Sequence, residues 1–223
     1  MSRPVAILRP EPGNAATAAR VEASGWTAIR LPLFEVHGRA WQAPDPAEFD
    51  ALVLTSANAA RHAGAEITKL AGLPVLAVGI ATADAAREAG LHVSLTGTSD
   101  AASLLADARA MGVSRALHLA GRDRLATSPA ITHTITVYAS DALDHDPVVT
   151  RELSGAVALL HSPRAARRLA ELADAAGLNR SGVRLAALSA AVARAAGAGW
   201  DTVAVATTPD DASLLDAAQS VLG

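Results

Sequence analysis

The chain of 223 residues holds a single tyrosine, Tyr138, within Ile135-Thr-Val-Tyr138-Ala-Ser140. β-Branched residues alternate there with others, as in a half-exposed strand. The stretch also separates two segments that resemble each other, so Tyr138 is expected to face the gap between two similar lobes. The plainer reading is an edge-strand tyrosine whose hydroxyl meets water. A second set of polar residues recurs at one kind of place. Arg9-Pro10, Ser56, Asn58, Gly79, Thr82, Thr96, Gly121, Arg122, Ser162 and Ser189 lie at or just after the ends of apolar runs read as strands, and most precede a helix. A helix N-terminus offers unpaired N–H groups and the positive end of a dipole, so the chemistry expected there is anion binding. Taken singly, each Ser, Thr or Asn is also explained as a helix cap. Their placement along one edge favours a site.

Other chemistries lack their residues. Without a cysteine, disulfides, thiol catalysis and thiolate metal sites are excluded. No G-x-G-x-x-G follows the first strand and no G-x-x-x-x-G-K-[ST] occurs, so nucleotide cofactors lack their usual cradle. The seven histidines are scattered without an H-E-x-x-H, and His161 reads as a surface or packing residue. Asp141, Asp144 and Asp146 around His145 read as a solvated acidic hinge, and no metal is expected.

The elements that must position these residues follow from composition. The chain is 51% hydrophobic but only 3% aromatic, so its core must be Ala, Val and Leu packed close. That suits parallel sheets covered by helices. A net charge of -3 argues against a general nucleic-acid surface and leaves room for an anionic small molecule. The N-terminal apolar run is interrupted by Arg9 after four residues, too short for a signal peptide. No apolar run of about 18 residues spans a membrane, so a cytoplasmic protein is expected; the expected state is a monomer.

Strand-then-helix patterns recur along the chain, the signature of parallel α/β architecture. Two runs match. Asp100-Ala-Ala-Ser103-Leu-Leu aligns with Asp210-Asp-Ala-Ser213-Leu-Leu, Leu54-Thr-Ser56 with Leu160-His-Ser162, and Ala77-Val-Gly79 with Ala187-Leu-Ser189. The offset is 106 between Ser56 and Ser162 and 110 at the other two pairs, as in a duplicated unit. Val5-Ala-Ile-Leu8 with Thr27 to Leu31, and Arg115 to Leu119 with Thr132 to Tyr138, complete five strands in each copy. The expected domains are a split lobe, residues 1–36 with 147–223, and an inserted lobe, residues 37–146. Gly38 to Pro46 reads as linker, and Ser99 or Asp100 as the cap of a helix from Ala101 to Ala110. Ligands of such sheets bind at the carboxyl ends of the strands, here expected to face one cleft on a hinge of two connections.

Read in order, V-A-I-L-R-P, L-T-S-A-N-A-A, A-V-G-I-A-T-A, L-A-G-R-D-R, I-T-V-Y, L-H-S-P-R-A-A and T-P-D-D-A-S-L-L resemble the uroporphyrinogen-III synthase family along nearly the whole chain. The resemblance implies two flavodoxin-like parallel-sheet lobes joined by a two-stranded linker, the second lobe inserted in the first. It also implies the reaction: hydroxymethylbilane is closed and dehydrated to uroporphyrinogen III with inversion of ring D, and no cofactor is needed. The family's most influential side chain, a tyrosine in the second linker, maps onto Tyr138. The substrate's carboxylates would meet the strand-end residues named above. The sequence departs from the family at Ser189-Ala-Ala-Val192, where Gly followed by Thr is usual. That departure suits the alternative of a two-lobed anion-binding relative without catalysis.

Overall fold

The computed structural model describes residues 4–97, 101–110, 112–123 and 131–222. In chain order, β1 (Pro4–Ile7), α1 (Gly13–Ala23), β2 (Thr27–Arg30) and β3 (Phe34–Gly38) come first. Then follow β4 (Ala51–Leu54), α2 (Ala57–His62), β5 (Val75–Val78), α3 (Ile80–Glu88), β6 (Val93–Gly97) and α4 (Ala101–Ala110). β7 (Ala116–Gly121), β8 (Ile131–Ala142), α5 (Pro147–Arg151), β9 (Val157–Leu160) and α6 (Pro163–Ala176) come next. β10 (Arg184–Ala187), α7 (Ala190–Ala195), β11 (Val203–Val205) and α8 (Asp211–Leu222) complete the chain. Ser99 and Asp100, expected as helix caps, and Arg124 of the L-A-G-R-D-R motif lie outside the described residues.

The chain divides into two compact units, Met1–Glu35 with Asp141–Gly223, and Val36–Ser140. The first unit carries a parallel sheet in the order β11-β10-β9-β1-β2. Val5 and Ile7 bury one face of β1 against α1 and α8, while Ala6 and Leu8 bury the other against α6. Sheets covered on both faces read as unbroken apolar runs, which is why β1 and β9 were legible as strands.

The second unit carries the order β3-β8-β7-β4-β5-β6. Five of these strands run parallel. Leu52 and Leu54 pack toward α2 and α3, Ala51 and Val53 toward α4. The sixth strand, β3, corrects the expectation of five. Arg39 N–H donates to the Val137 carbonyl at 2.8 Å and Leu143 N–H to the Leu33 carbonyl at 3.0 Å, which fixes β3 and β8 as antiparallel. This register sets Gly38 opposite Tyr138. Phe34-Glu-Val-His37 alternates as a strand should, but it is held between Pro32 and Gly38. Such punctuation is tolerated at a sheet edge, where β3 lies.

Candidate functional site

At the carboxyl edge of the five-stranded sheet, Arg9 follows β1 and is pinned twice. Its backbone carbonyl and that of Ile7 accept from Asn14 Nδ2 at 2.9 and 2.8 Å, and Asn14 is fully buried. Its Nη1 lies 2.9 Å from Asp211 Oδ1 and 3.4 Å from Thr17 Oγ1. Asp211, the first residue of α8, gathers three further groups. Thr17 Oγ1 donates at 2.8 Å, Arg20 Nη1 at 2.6 Å, and His161 Nε2 sits 3.3 Å away. The carboxyl is thereby held well below the usual carboxylate range, first by His161, then by Thr17 and Arg9, against a burial that pulls the other way. His161, read from the sequence as a surface or packing residue, is packed inside rather than on the surface. It follows β9 with its side chain 10% exposed, in ion-pair reach of Asp211.

Ser162 and Ser189 end β9 and β10 as expected and use their hydroxyls as caps. Ser162 Oγ accepts from Ala165 N–H at 3.1 Å and Ser189 Oγ from Val192 N–H at 3.4 Å. Pro10 supplies the carbonyl that receives Asn14 N–H at 3.1 Å where α1 begins.

The six-stranded sheet presents the remaining residues. Ser56 follows β4 and accepts from Asn58 N–H at 3.2 Å. Its neighbour Thr55 is hydrogen-bonded to the buried His118 of β7 at 3.0 Å. Gly79, after β5, has φ +81° and ψ 156°, a conformation essentially reserved to glycine. It sets the first turn of α3, in which Thr82 is buried. Thr96 lies inside β6 rather than at its end.

Gly121, Arg122 and Tyr138 come together. From Leu117 opposite His133 the β7–β8 ladder runs in register to Ala120 opposite Thr136, then shifts so that Gly121 is opposite Tyr138. A shift of this kind puts one extra residue in a strand and re-aims its neighbour. Val137 is the residue skipped and is buried in the core. Tyr138 is half-buried, and Arg122 N–H donates to its carbonyl at 3.0 Å. A Cβ on Gly121 would fall 2.6 Å from Tyr138 Cζ and 2.8 Å from its hydroxyl, so the phenol lies directly over the glycine. His62, at the end of α2, stands near the ring, with centroids 6.4 Å apart and planes inclined by 34°. Burial first, then Arg61 and His37, push the His62 imidazole below its usual pKa. Among the described residues no group of three or more His, Asp or Glu could hold a metal ion, and no helix is long and apolar enough to cross a membrane.

Sequence reasoning brought forward Arg9, the caps, Gly121 and Tyr138. It missed Asp211, Thr17, Arg20 and His62. Asp211 stood in the repeated motif, where it reads only as an acidic first-turn residue. Nothing in the sequence ties it to positions 9, 17, 20 and 161.

The uroporphyrinogen-III synthase HemD family matches residues 15–216. Uroporphyrinogen-III synthetase from Helicobacter pylori 26695 has a similar fold, with TM-score 0.68 and 14% identity over 98% of this chain and 99% of that one. A mutant uroporphyrinogen III synthase from the extremely thermophilic bacterium Thermus thermophilus aligns with TM-score 0.51 and 18% identity over 99% of each chain. No curated protein matches the sequence.

Proposed function

The chain belongs to the uroporphyrinogen-III synthase family, and from that premise we propose which of its residues carry the family's reaction. It is a cyclising lyase of tetrapyrrole biosynthesis, closing hydroxymethylbilane to uroporphyrinogen III with loss of water. The finer reading is that each unit is a flavodoxin-like lobe, that β3 and β8 are the linker, and that the protein acts as a cytoplasmic monomer. The reaction begins as the bond from the ring A hydroxymethyl carbon to its oxygen breaks. The Tyr138 phenol gives its proton to the departing hydroxide, which leaves as water. The resulting azafulvene cation is attacked by the substituted carbon of ring D. The spiro intermediate fragments and recloses with ring D inverted, and the proton released on closure returns to the phenolate.

Such a reaction needs positioning above all, plus one weak acid at the leaving hydroxyl. The observation that carries the assignment is the place of Tyr138. It is the only tyrosine, half-buried at the carboxyl end of β7 beside Arg122. The substrate's carboxylates are assigned to strand-end donors: Ser56, Asn58, Gly79, Thr82 and Arg122 of one unit, Arg9, Pro10, Ser162 and Ser189 of the other. Support comes from α3 and α6, whose first-turn N–H groups and dipoles favour anions. The test is to supply hydroxymethylbilane and resolve the uroporphyrin I and III isomers. The III isomer is expected with the enzyme, and the I isomer alone would overturn the reading.

A further inference from the structure

Tyr138 is flanked by glycine on both neighbouring strands. Gly121 of β7 lies under the phenol, and Gly38 of β3 is opposite it in the antiparallel register. Neither glycine is there for a left-handed backbone, since neither has a positive φ. Each makes room for something. At Gly121 a Cβ would overlap the ring, with Cζ at 2.6 Å, Oη at 2.8 Å and Cε2 at 2.9 Å. At Gly38 it would come 2.8 Å from the His62 backbone carbonyl, so the missing side chain lets the end of α2 rest on β3. That contact brings the His62 ring to its place beside Tyr138. The register shift at Gly121 completes the arrangement, because an unbroken ladder would set Val137 there instead.

We propose that Gly121, Gly38 and His62 are positioning residues that together seat the Tyr138 phenol, and that residue 121 acts on the product isomer only through that ring. The inference rests on the reading of Tyr138 as the acid. It accounts for Gly121 better than direct substrate contact does, since the phenol covers the position its side chain would take. A misplacement of about 1 Å costs roughly 10²-fold in rate. The Cβ overlap at Gly121 demands a displacement of that order. Burial first, then Arg61 and His37, disfavour the charged form of the His62 imidazole beside the phenol.

Because Tyr138 is the only tyrosine, a chain labelled with ¹³Cζ-tyrosine gives one resonance, which reports the seat without reference to activity. Gly121→Ala and His62→Ala are each expected to move that resonance. Gly121→Ala is expected to lower III-isomer formation by up to about 10²-fold with little change in melting temperature. In a Tyr138→Ala background, where no ring remains to displace, Gly121→Ala should add almost nothing. An unmoved resonance in both variants, or an equal loss from Gly121→Ala with Tyr138 or Ala at position 138, overturns the proposal. Should Gly121→Ala fail to fold, the resonance in His62→Ala decides alone. A moved resonance together with an unchanged isomer ratio in Tyr138→Phe would uphold the seat and reject the phenol as the acid.

Discussion

Arg9 and Asp211 stand 202 residues apart in the sequence and 2.9 Å apart in the fold. Asp211 also receives Thr17 and Arg20 and lies 3.3 Å from His161, so one carboxylate ties the start of α8 to the loop after β1, to α1 and to the end of β9. Its side chain is 18% exposed, which spares the network much of the screening that weakens surface pairs.

Asp211→Asn is expected to destabilise the protein by about 1.5–3 kcal/mol at neutral pH, the range for hydrogen bonds to charged groups. The folded carboxyl has a lowered pKa. Its contribution is therefore fully present above the unfolded value near 4 and is lost progressively as the pH falls below it. Urea unfolding of both chains between pH 3 and pH 7 checks this. The gap between them should be widest at the neutral end and narrow toward pH 3. A gap independent of pH would show that charge is not the cause.

Gly79→Ala tests backbone conformation alone. No atom lies within 4 Å of the position a Cβ would take, so a steric argument predicts no cost. Its φ of +81° and ψ of 156° predict about 1–3 kcal/mol of destabilisation. Thermal unfolding should show a fall in Tm of about 2–4 °C per kcal/mol. An unchanged Tm would mean that the turn before α3 relaxes without strain.

Ser162 separates capping from substrate binding. Its hydroxyl caps α6 through Ala165 N–H, so Ser162→Ala should cost about 1 kcal/mol while Ser162→Gly costs only a few tenths. If the hydroxyl also meets a substrate carboxylate, both variants should raise KM alike. Thermal melts with paired KM measurements read the two effects separately. A KM that follows stability, with Gly close to wild type, would leave Ser162 a cap and nothing more.

What the sequence disclosed follows the same divide between local and long-range order. Val157-Ala-Leu-Leu160 announces a strand buried on both faces, and Ser162-Pro163 announces the cap and first turn of a helix, because both signals are local. The repeat made two sheets legible, since duplicated segments must bury equivalent faces. β3 was missed because Pro32 and Gly38 punctuate it and its partner in the sheet, β8, lies about a hundred residues away. Asp211 and His62 were missed for a related reason. Their partners arrive through the crossing of strands and helices, which no spacing within α8 or α2 encodes. Gly121 was read correctly as a strand end, but its relation to Tyr138 depends on a one-residue register shift that composition does not reveal.

Tyr138→Phe is expected to leave the fold intact and to slow closure to the III isomer. The ring stays over Gly121, and the protein keeps its packing against the core of the six-stranded unit. Only the proton donor is lost. General acid help is typically about 10²–10⁴-fold, and the lower end applies here. Hydroxymethylbilane ionises readily and cyclises unaided to the I isomer, so little assistance is needed at the leaving hydroxyl. That unaided path makes the isomer ratio the sensitive readout. At limiting enzyme, a slowed variant lets the I isomer accumulate, and the III-to-I ratio should fall while the melting temperature holds. An edge-strand tyrosine whose hydroxyl only meets water would change neither quantity on losing it. An unaltered ratio at unchanged Tm would therefore remove the phenol from the mechanism and leave the strand-end donors to promote loss of hydroxide by positioning alone.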